Sequence, residues 1–412
     1  MLDINLIRKE PEKVKAGLTA KNADPKLVES FLELDAKWRD ATTEFDTKRA
    51  EQKKLGEERK IEEAKALKVE LQKIEADLAT LDKMRQEVLH QMPNLPLLHV
   101  IVGKSDKENK VIREVGTKPQ FSKPLDYMEL AQKLDIIDTE RAAKVSGSRF
   151  GYLKGAAALL EFALVDLAMK TLVKEGFTPV VPPVLINEKS MWAMGYLERG
   201  ADEIYYLSKD NLYLVGTSEQ SVGAMHQGEI FNTEQLPRRY VSFSPCFRRE
   251  AGSYGKDTKG ILRVHQFDKV EMFSIVKPED SEAEHAFLLS IEEKLMQALE
   301  LPYHVLDICS GDLGDPAAAK YDIEAWLPGQ NGGKGEYRET HSTSNTTDFQ
   351  SRRLGIKYKT KEGASEFVHL LNGTAFAIGR MILAILENYQ TEEGTVRVPK
   401  VLQQYMGMEE IG

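Results

Sequence analysis

Two consecutive runs of heptad-spaced residues, closed by a pair of prolines, restrict the fold of this chain more tightly than any other feature. The first seam passes through Leu27, Phe31, Leu34, Trp38, Ala41, Phe45, Lys48, Gln52 and Leu55, the second through Ala64, Leu67, Leu71, Ile74, Leu78, Leu81, Arg85, Val88 and Met92. Four-three spacing keeps such residues on one stripe of an α-helix, so each run predicts a long helix with a coiled-coil seam. Pro93 and Pro96 stop the second helix, because proline lacks the N–H and clashes with the preceding turn. Only a short turn separates the seams, so the helices fold back on each other. A helix of about 30 residues extends about 45 Å, and the pair, over residues 27–92, is expected to project as an arm. A solvated coiled coil used for dimerisation is the alternative that periodicity alone leaves open.

Charge sharpens that reading. The 412 residues include 65 acidic and 56 basic side chains, a formal charge of −9. Against this acidic background Lys48, Arg49, Lys53, Lys54, Arg59 and Lys60 gather near the expected hairpin tip, with Glu51, Glu57 and Glu58 between them. Polar Lys48 and Gln52 occupy seam positions there, which loosens the packing and suits the tip to phosphate contact. A merely solvated face has the same signature. Cys246 and Cys309 are the only cysteines, which excludes a disulfide framework or thiolate-rich zinc site and fits a reducing cytosol. The apolar stretch at 156–173 is interrupted by Glu161, Asp166 and Lys170, so it predicts a buried or amphipathic helix rather than a membrane span. With Asp3, Arg8, Lys9 and Glu10 among its first ten residues, the N-terminus lacks the continuous apolar core expected of a secretory signal.

Beyond the arm the pattern changes to β-rich runs at 180–186, 240–243, 262–267 and 270–276, separated by helical periodicity. That order predicts an α+β domain built on an antiparallel sheet, with the boundary between residues 103 and 104. No glycine-rich phosphate loop of the P-loop or dinucleotide type is present. The chemistry concentrates between Phe247 and Glu271, read as strand, loop and strand, with Gly252, Gly255 and Gly260 in the loop. Alternate residues of a strand share a face, so this hairpin can place Arg248 on a phosphate, offer Phe267 to a base and aim Glu250 and Glu271 into one pocket. A salt-bridged surface hairpin is the plain alternative. Downstream, small residues at 371–379 lead into a helix that starts with Arg380, which suits close approach to an anion; a core helix with one snorkelling arginine is the alternative.

Taken together, these residues resemble the seryl-tRNA synthetases of bacterial type, class II aminoacyl-tRNA synthetases, over essentially the whole chain. The resemblance runs from Met1-Leu2-Asp3-Ile4 through Pro93-Asn94-Leu95-Pro96 to Leu386-Glu387-Asn388-Tyr389-Gln390. Class II motif 1 corresponds to Gly176-Phe177 through Pro183, motif 2 to the Phe247–Glu271 unit, and motif 3 ends at Arg380. The long arm ahead of motif 1 makes the match specific to the seryl enzymes. The resemblance implies a class II antiparallel-sheet catalytic domain, a homodimer, and a cytoplasmic ligase that condenses L-serine with ATP and charges serine tRNA, with selenocysteine tRNA served where it exists. It assigns Arg248 to the α-phosphate and Arg380 to the γ-phosphate, Phe267 to stacking on adenine and Glu250 to its amino group, with Arg249 and Val264 completing the nucleotide site. Thr217, Glu219, Arg248, Glu271 and Thr374 would bind serine. Glu339, Thr340, His341 and Ser342 would contact ATP, with Glu339 and Ser342 coordinating Mg2+, and no zinc is expected. The family commonly shows two serines after glutamate and an aliphatic residue, whereas this chain reads Glu339-Thr340-His341-Ser342.

Overall fold

The computed structural model describes residues 1–198, 200–252 and 260–412, so the expected loop glycine Gly255 lies outside the described residues. The chain divides into two compact units, Met1–Leu95 and Pro96–Gly412.

In the first unit, helices Lys26–Glu57 and Ile61–His90 pack against each other along the expected seams. Just before the first helix, Asp24 Oδ1 accepts the Lys26 N–H at 2.9 Å in a turn that leads into it. In its outer half, only Phe45, Lys48, Gln52 and Leu55 are less than fully exposed between residues 43 and 57, as the heptad spacing requires. Lys48 Nζ reaches Glu70 at 2.7 Å and Gln52 Nε2 donates to the Ala64 carbonyl at 3.3 Å, which fixes the register of the hairpin. Near its base the buried positions shift to Val28, Phe31 and Asp35, because helices Ile4–Lys9 and Pro11–Ala20 cover a second side and widen the buried stripe.

Asp35 is 0% exposed and carries the charge of that base. Its carboxylate accepts two hydrogen bonds from Arg8, at 2.8 and 2.7 Å, one from Arg39 Nε at 3.1 Å and one from Arg85 Nη1 at 2.9 Å. The Arg85 guanidinium also lies 4.1 Å from the Trp38 ring centre, so the arginine that interrupts the second seam is used as a clamp. Burial alone would raise the pKa of Asp35, but the Arg8 and Arg85 hydrogen bonds outweigh it and hold it below the ordinary carboxylate value. Its stabilising contribution is therefore present above the unfolded-state pKa and lost as the pH falls through the depressed folded-state value. Asp35→Asn removes the charge shared by Arg8, Arg39 and Arg85, leaving buried Arg85 with Asp82 alone, and is expected to cost the first unit about 3 kcal/mol, read by urea denaturation. A loss under about 1 kcal/mol would show that solvent already screens the network.

The second unit is built on an eight-stranded sheet. From one edge to the other its strands are Lys110–Val115, Tyr303–Asp307, Ala319–Leu327, Glu336–Asn345, His369–Ala377, Gln266–Val276, Arg238–Phe247 and Thr178–Val180. Every pairing is antiparallel except the parallel pairing of the last two. Helices Ala156–Lys174, Ser281–Ala298 and Ile378–Asn388 join Val270, Met272, Leu371, Ala375 and Ile323 of the strands in one apolar core. Residues 96–103, grouped with the first domain by sequence, are held by this unit: the Leu97 N–H donates to the Ala318 carbonyl at 2.8 Å, and Val100 packs with Ile308, Leu313 and Ala319. Among the described residues no helix is long and apolar enough to cross a membrane.

Two strand expectations need correction. The run at 262–267 is mostly irregular, and its strand begins only at Gln266. The run at 180–186 is split into Thr178–Val180 and Leu185–Asn187, because Pro182 and Pro183 cannot donate to a ladder.

Candidate active site

Alternation along the central strands decides which side chains reach the open face of the sheet. On Gln266–Val276, Phe267, Lys269 and Glu271 line a cavity of about 540 Å³, while Val270 and Met272 turn to the core behind it. Asp268 also turns back, where it meets Glu161 of the Ala156–Lys174 helix. The neighbouring strand adds Asn372 and Thr374, and the next adds Thr340, Ser342 and Ser344. The cavity size is ordinary for a cofactor or nucleotide site.

Its lining carries five cations, Arg248, Arg263, Lys269, Lys320 and Arg380, and five acids, Glu219, Glu250, Glu271, Asp315 and Glu339. Charge is therefore balanced overall but unevenly arranged. In one region Lys269 Nζ pairs with Glu271 Oε2 at 2.6 Å, and the Thr374 hydroxyl donates to the same oxygen at 3.3 Å. Glu271 is only 2% exposed, and register places it directly beside Thr374. Glu219 stands nearby, accepting from the Tyr196 hydroxyl at 3.1 Å and from Gln350 Nε2 at 2.9 Å. Burial, followed by the charge of Glu271, pushes the Glu219 pKa up. This end of the cavity offers buried carboxylates and hydroxyls, the chemistry that recognises an ammonium and an alcohol.

The other region is dominated by arginine. Arg248 donates through Nε to the Gly216 carbonyl at 3.2 Å, and its guanidinium lies 5.2 Å from the Phe267 ring centre. Glu250, in the left-handed region at φ 52°, receives Arg263 Nη1 on Oε2 at 2.7 Å. Arg380 belongs to the first turn of the Ile378–Asn388 helix, whose Gly379 also lines the cavity, so a guanidinium and the positive end of a helix act on the same space. Arg380 Nη1 donates to the Glu339 carbonyl at 2.8 Å and lies 3.3 Å from its carboxylate. Desolvation alone would raise the Glu339 pKa, but Arg380, Lys320 and Arg248 outweigh it and hold the group at about 2. Glu339 is thus ionised at any working pH, ready to face a cation.

The cavity brings together Thr217, Glu219, Arg248, Glu250, Val264, Phe267, Glu271, Glu339, Thr340, Ser342, Thr374 and Arg380. Arg249 and His341 do not join them. Arg249 is exposed, next to Arg248 in sequence, with its backbone N–H on the Glu203 carbonyl at 2.8 Å. His341 is 1% exposed and turned to the rear of the sheet, where it packs edge-on against Phe376. Burial drives its pKa down to about 3, so it stays neutral. Strict alternation between Thr340 and Ser342 is the reason it cannot reach a ligand on the open face.

Lys269 and Arg263 were legible through their places in the motif 2 run, Lys269 lying two residues before Glu271 on the same face. Tyr196, Lys320 and Gln350 carried no local signal and are delivered by the fold alone. At the hairpin tip Lys48 and Lys60 are ion-paired, with Glu44 and Glu70 and with Glu58 respectively, while Arg49, Lys53, Lys54 and Arg59 are exposed.

Residues 1–96 match the family model of the seryl-tRNA synthetase N-terminal domain, and residues 205–389 that of the tRNA synthetase class II core domain (G, H, P, S and T). The chain is 48% identical to the serine--tRNA ligase of Acidothermus cellulolyticus, across 99% of this chain and 98% of that one. It is 47% identical to the serine--tRNA ligase of Thermobifida fusca, again across 99% and 98%. The crystal structure of seryl-tRNA synthetase from Pyrococcus horikoshii complexed with ATP is similar with a TM-score of 0.94 and 40% identity, covering 100% of this chain and 99% of that one. The cytoplasmic serine-tRNA ligase of Naegleria fowleri in complex with AMP gives 0.91 and 36%, covering 100% and 98%.

Proposed function

The chain belongs to the seryl-tRNA synthetase family of class II aminoacyl-tRNA synthetases, and on that premise we propose how its cavity and its hairpin divide the reaction. The enzyme activates L-serine with ATP and transfers the seryl group to the 3′ end of serine tRNA. In the first step a serine carboxylate oxygen attacks the α-phosphorus, the bond to the bridging oxygen breaks, and pyrophosphate leaves with the electron pair. In the second, a terminal ribose hydroxyl of the tRNA attacks the seryl carbonyl and AMP leaves. Neither step needs a nucleophilic side chain. Both need positioning and neutralisation of growing negative charge.

The single observation that carries this reading is that one cavity joins the Glu219–Glu271–Thr374 region to Arg248, Phe267 and Arg380. Thr217, Glu219, Glu271 and Thr374 hold the ammonium and hydroxyl of serine, and Arg248 its carboxylate together with the α-phosphate. Arg380 takes the γ-phosphate, Phe267 the adenine face and Glu250 the adenine amino group. Glu339 and Ser342 present hard oxygen donors, the kind magnesium prefers; among the described residues no group of three or more His, Cys, Asp or Glu could hold an ion, so phosphate oxygens and water would complete its shell. Bound there, magnesium would neutralise phosphate charge.

Selectivity follows from burial. Alanine in the serine pocket leaves the Glu271 and Thr374 oxygens without the substrate hydroxyl, a penalty that apolar contacts cannot offset. Thr374→Ala is therefore expected to narrow the preference for serine over alanine by about tenfold. Pyrophosphate exchange into ATP, measured with each amino acid in turn, tests both that prediction and the assignment. Exchange driven by threonine, proline or alanine but not by serine would overturn it.

The exposed cations at the hairpin tip suit the phosphates of the tRNA body, and binding of this kind weakens steeply with salt. A reading of the tRNA body rather than its anticodon accepts a selenocysteine tRNA of the same shape. The enzyme acts as a homodimer: Leu159, Phe162 and Val173 of one helix, with Val181 in the motif 1 segment, expose apolar side chains, Phe162 at 66% and Val181 at 85%. The buried unpaired thiols of Cys246 and Cys309 fit a cytoplasmic enzyme.

A further inference from the structure

We propose that Asp322 is a positioning residue for the metal end of the nucleotide site, holding Ser342 and Lys320 in place; the proposal rests on the reading that Glu339 and Ser342 take magnesium. Strand Ala319–Leu327 runs antiparallel to Glu336–Asn345, with Lys320 directly opposite Ser344 and Asp322 directly opposite Ser342. Direct partners in a ladder share a face, so Asp322 stands on the same side of the sheet as Ser342 and Lys320. The register then shifts between Ile323 and Glu324, which is a bulge. Because of it Glu339 and its neighbour Thr340 both line the cavity, where strict alternation would turn one of them away.

Asp322 is buried at 6% exposure. Its Oδ2 accepts Lys320 Nζ at 2.8 Å, while Oδ1 is buried without a hydrogen bond of ordinary length, and Ser342 is the hydroxyl that bears on the carboxylate. A buried acceptor left open is costly and calls for a reason. The Oδ1 lone pairs suit the hydroxyl proton of Ser342, or a proton of water on the ion. Accepting the serine proton turns the Ser342 oxygen lone pairs outward, the orientation a cation requires, and the bond to Oδ2 keeps Lys320 from drifting onto Glu339. An outer carboxylate that orients a ligand typically changes metal affinity by roughly 10- to 100-fold when removed.

The test follows ATP affinity of the full-length enzyme by calorimetry as magnesium is titrated, with Mn2+ binding followed by electron paramagnetic resonance as a second readout. Asp322→Asn is expected to raise the magnesium concentration for half-effect about tenfold, while serine affinity and ATP affinity in excess chelator stay within about twofold, a split that general loss of structure does not produce. Asp322→Glu should recover part of the response. Ser342→Ala should shift the midpoint similarly, and the double variant no further, since the two act through one contact. An unshifted midpoint in Asp322→Asn, equal loss of metal-free ATP and serine affinity, or additive shifts in the double variant would each overturn the proposal. A wild-type enzyme whose ATP affinity ignores magnesium would remove the reading of Glu339 and Ser342 and this proposal with it.

Discussion

Arg248→Ala is expected to lower serine-dependent pyrophosphate exchange on the order of 10³-fold. The guanidinium is preorganised, tethered through Nε to the Gly216 carbonyl at 3.2 Å and poised over Phe267. In the proposed role it would need little reorganisation as charge builds on the α-phosphate, and its remaining N–H donors would serve the carboxylate and phosphate oxygens. Arg248→Lys should recover little, because a lysine ammonium cannot both hold the Gly216 tether and fork onto two oxygens. Steady-state exchange kinetics separate the alternatives. A fall in kcat and kcat/KM together identifies an interaction made in the transition state, whereas a rise in KM with unchanged kcat would reduce Arg248 to a ground-state binder.

Excising residues 46–71 and closing the hairpin with a short Gly-Ser turn is expected to leave pyrophosphate exchange within about twofold, yet to cut kcat/KM for serine tRNA by roughly 10²-fold. The cut removes Lys48, Arg49, Lys53, Lys54, Arg59 and Lys60 but spares Asp35, Trp38 and Arg85, so the clamped base survives. It also falls where the hairpin has few buried residues, which limits the cost in stability. The remaining charging activity should lose most of its dependence on salt, since the counterions released by those cations no longer contribute. Undiminished charging by the shortened enzyme would remove the hairpin from tRNA recognition altogether.

These outcomes depend on features of unequal visibility in the sequence. The hairpin was almost wholly legible, because a coiled coil is specified by spacing between near neighbours and Phe45, Lys48, Gln52 and Leu55 are shielded as their heptad positions require. Its base was less so. Asp35 lies off the seam and is buried only because two further helices cover it, a consequence of packing among segments separated in sequence. In the cavity, Phe267 and Glu271 could be placed from strand alternation and Arg380 from the glycine-lined entry to its helix. The same rule, applied one strand further, excludes His341, but the bulge that turns both Glu339 and Thr340 forward is invisible without the partner strand.

By itself the sequence determined the antiparallel arm, the order of the three class II motifs and the chemical character of many residues that line the cavity, since each of these is set by side chains close together along the chain. Tertiary structure alone decided that Tyr196 and Gln350 close around Glu219, that Lys320 and Asp322 come to lie beside Ser344 and Ser342, and that His341 is sealed into the core. The physical reason is distance along the chain. Gln350 reaches Glu219 across 131 residues, and no periodicity in a single strand or helix encodes a contact that exists only once the sheet has assembled.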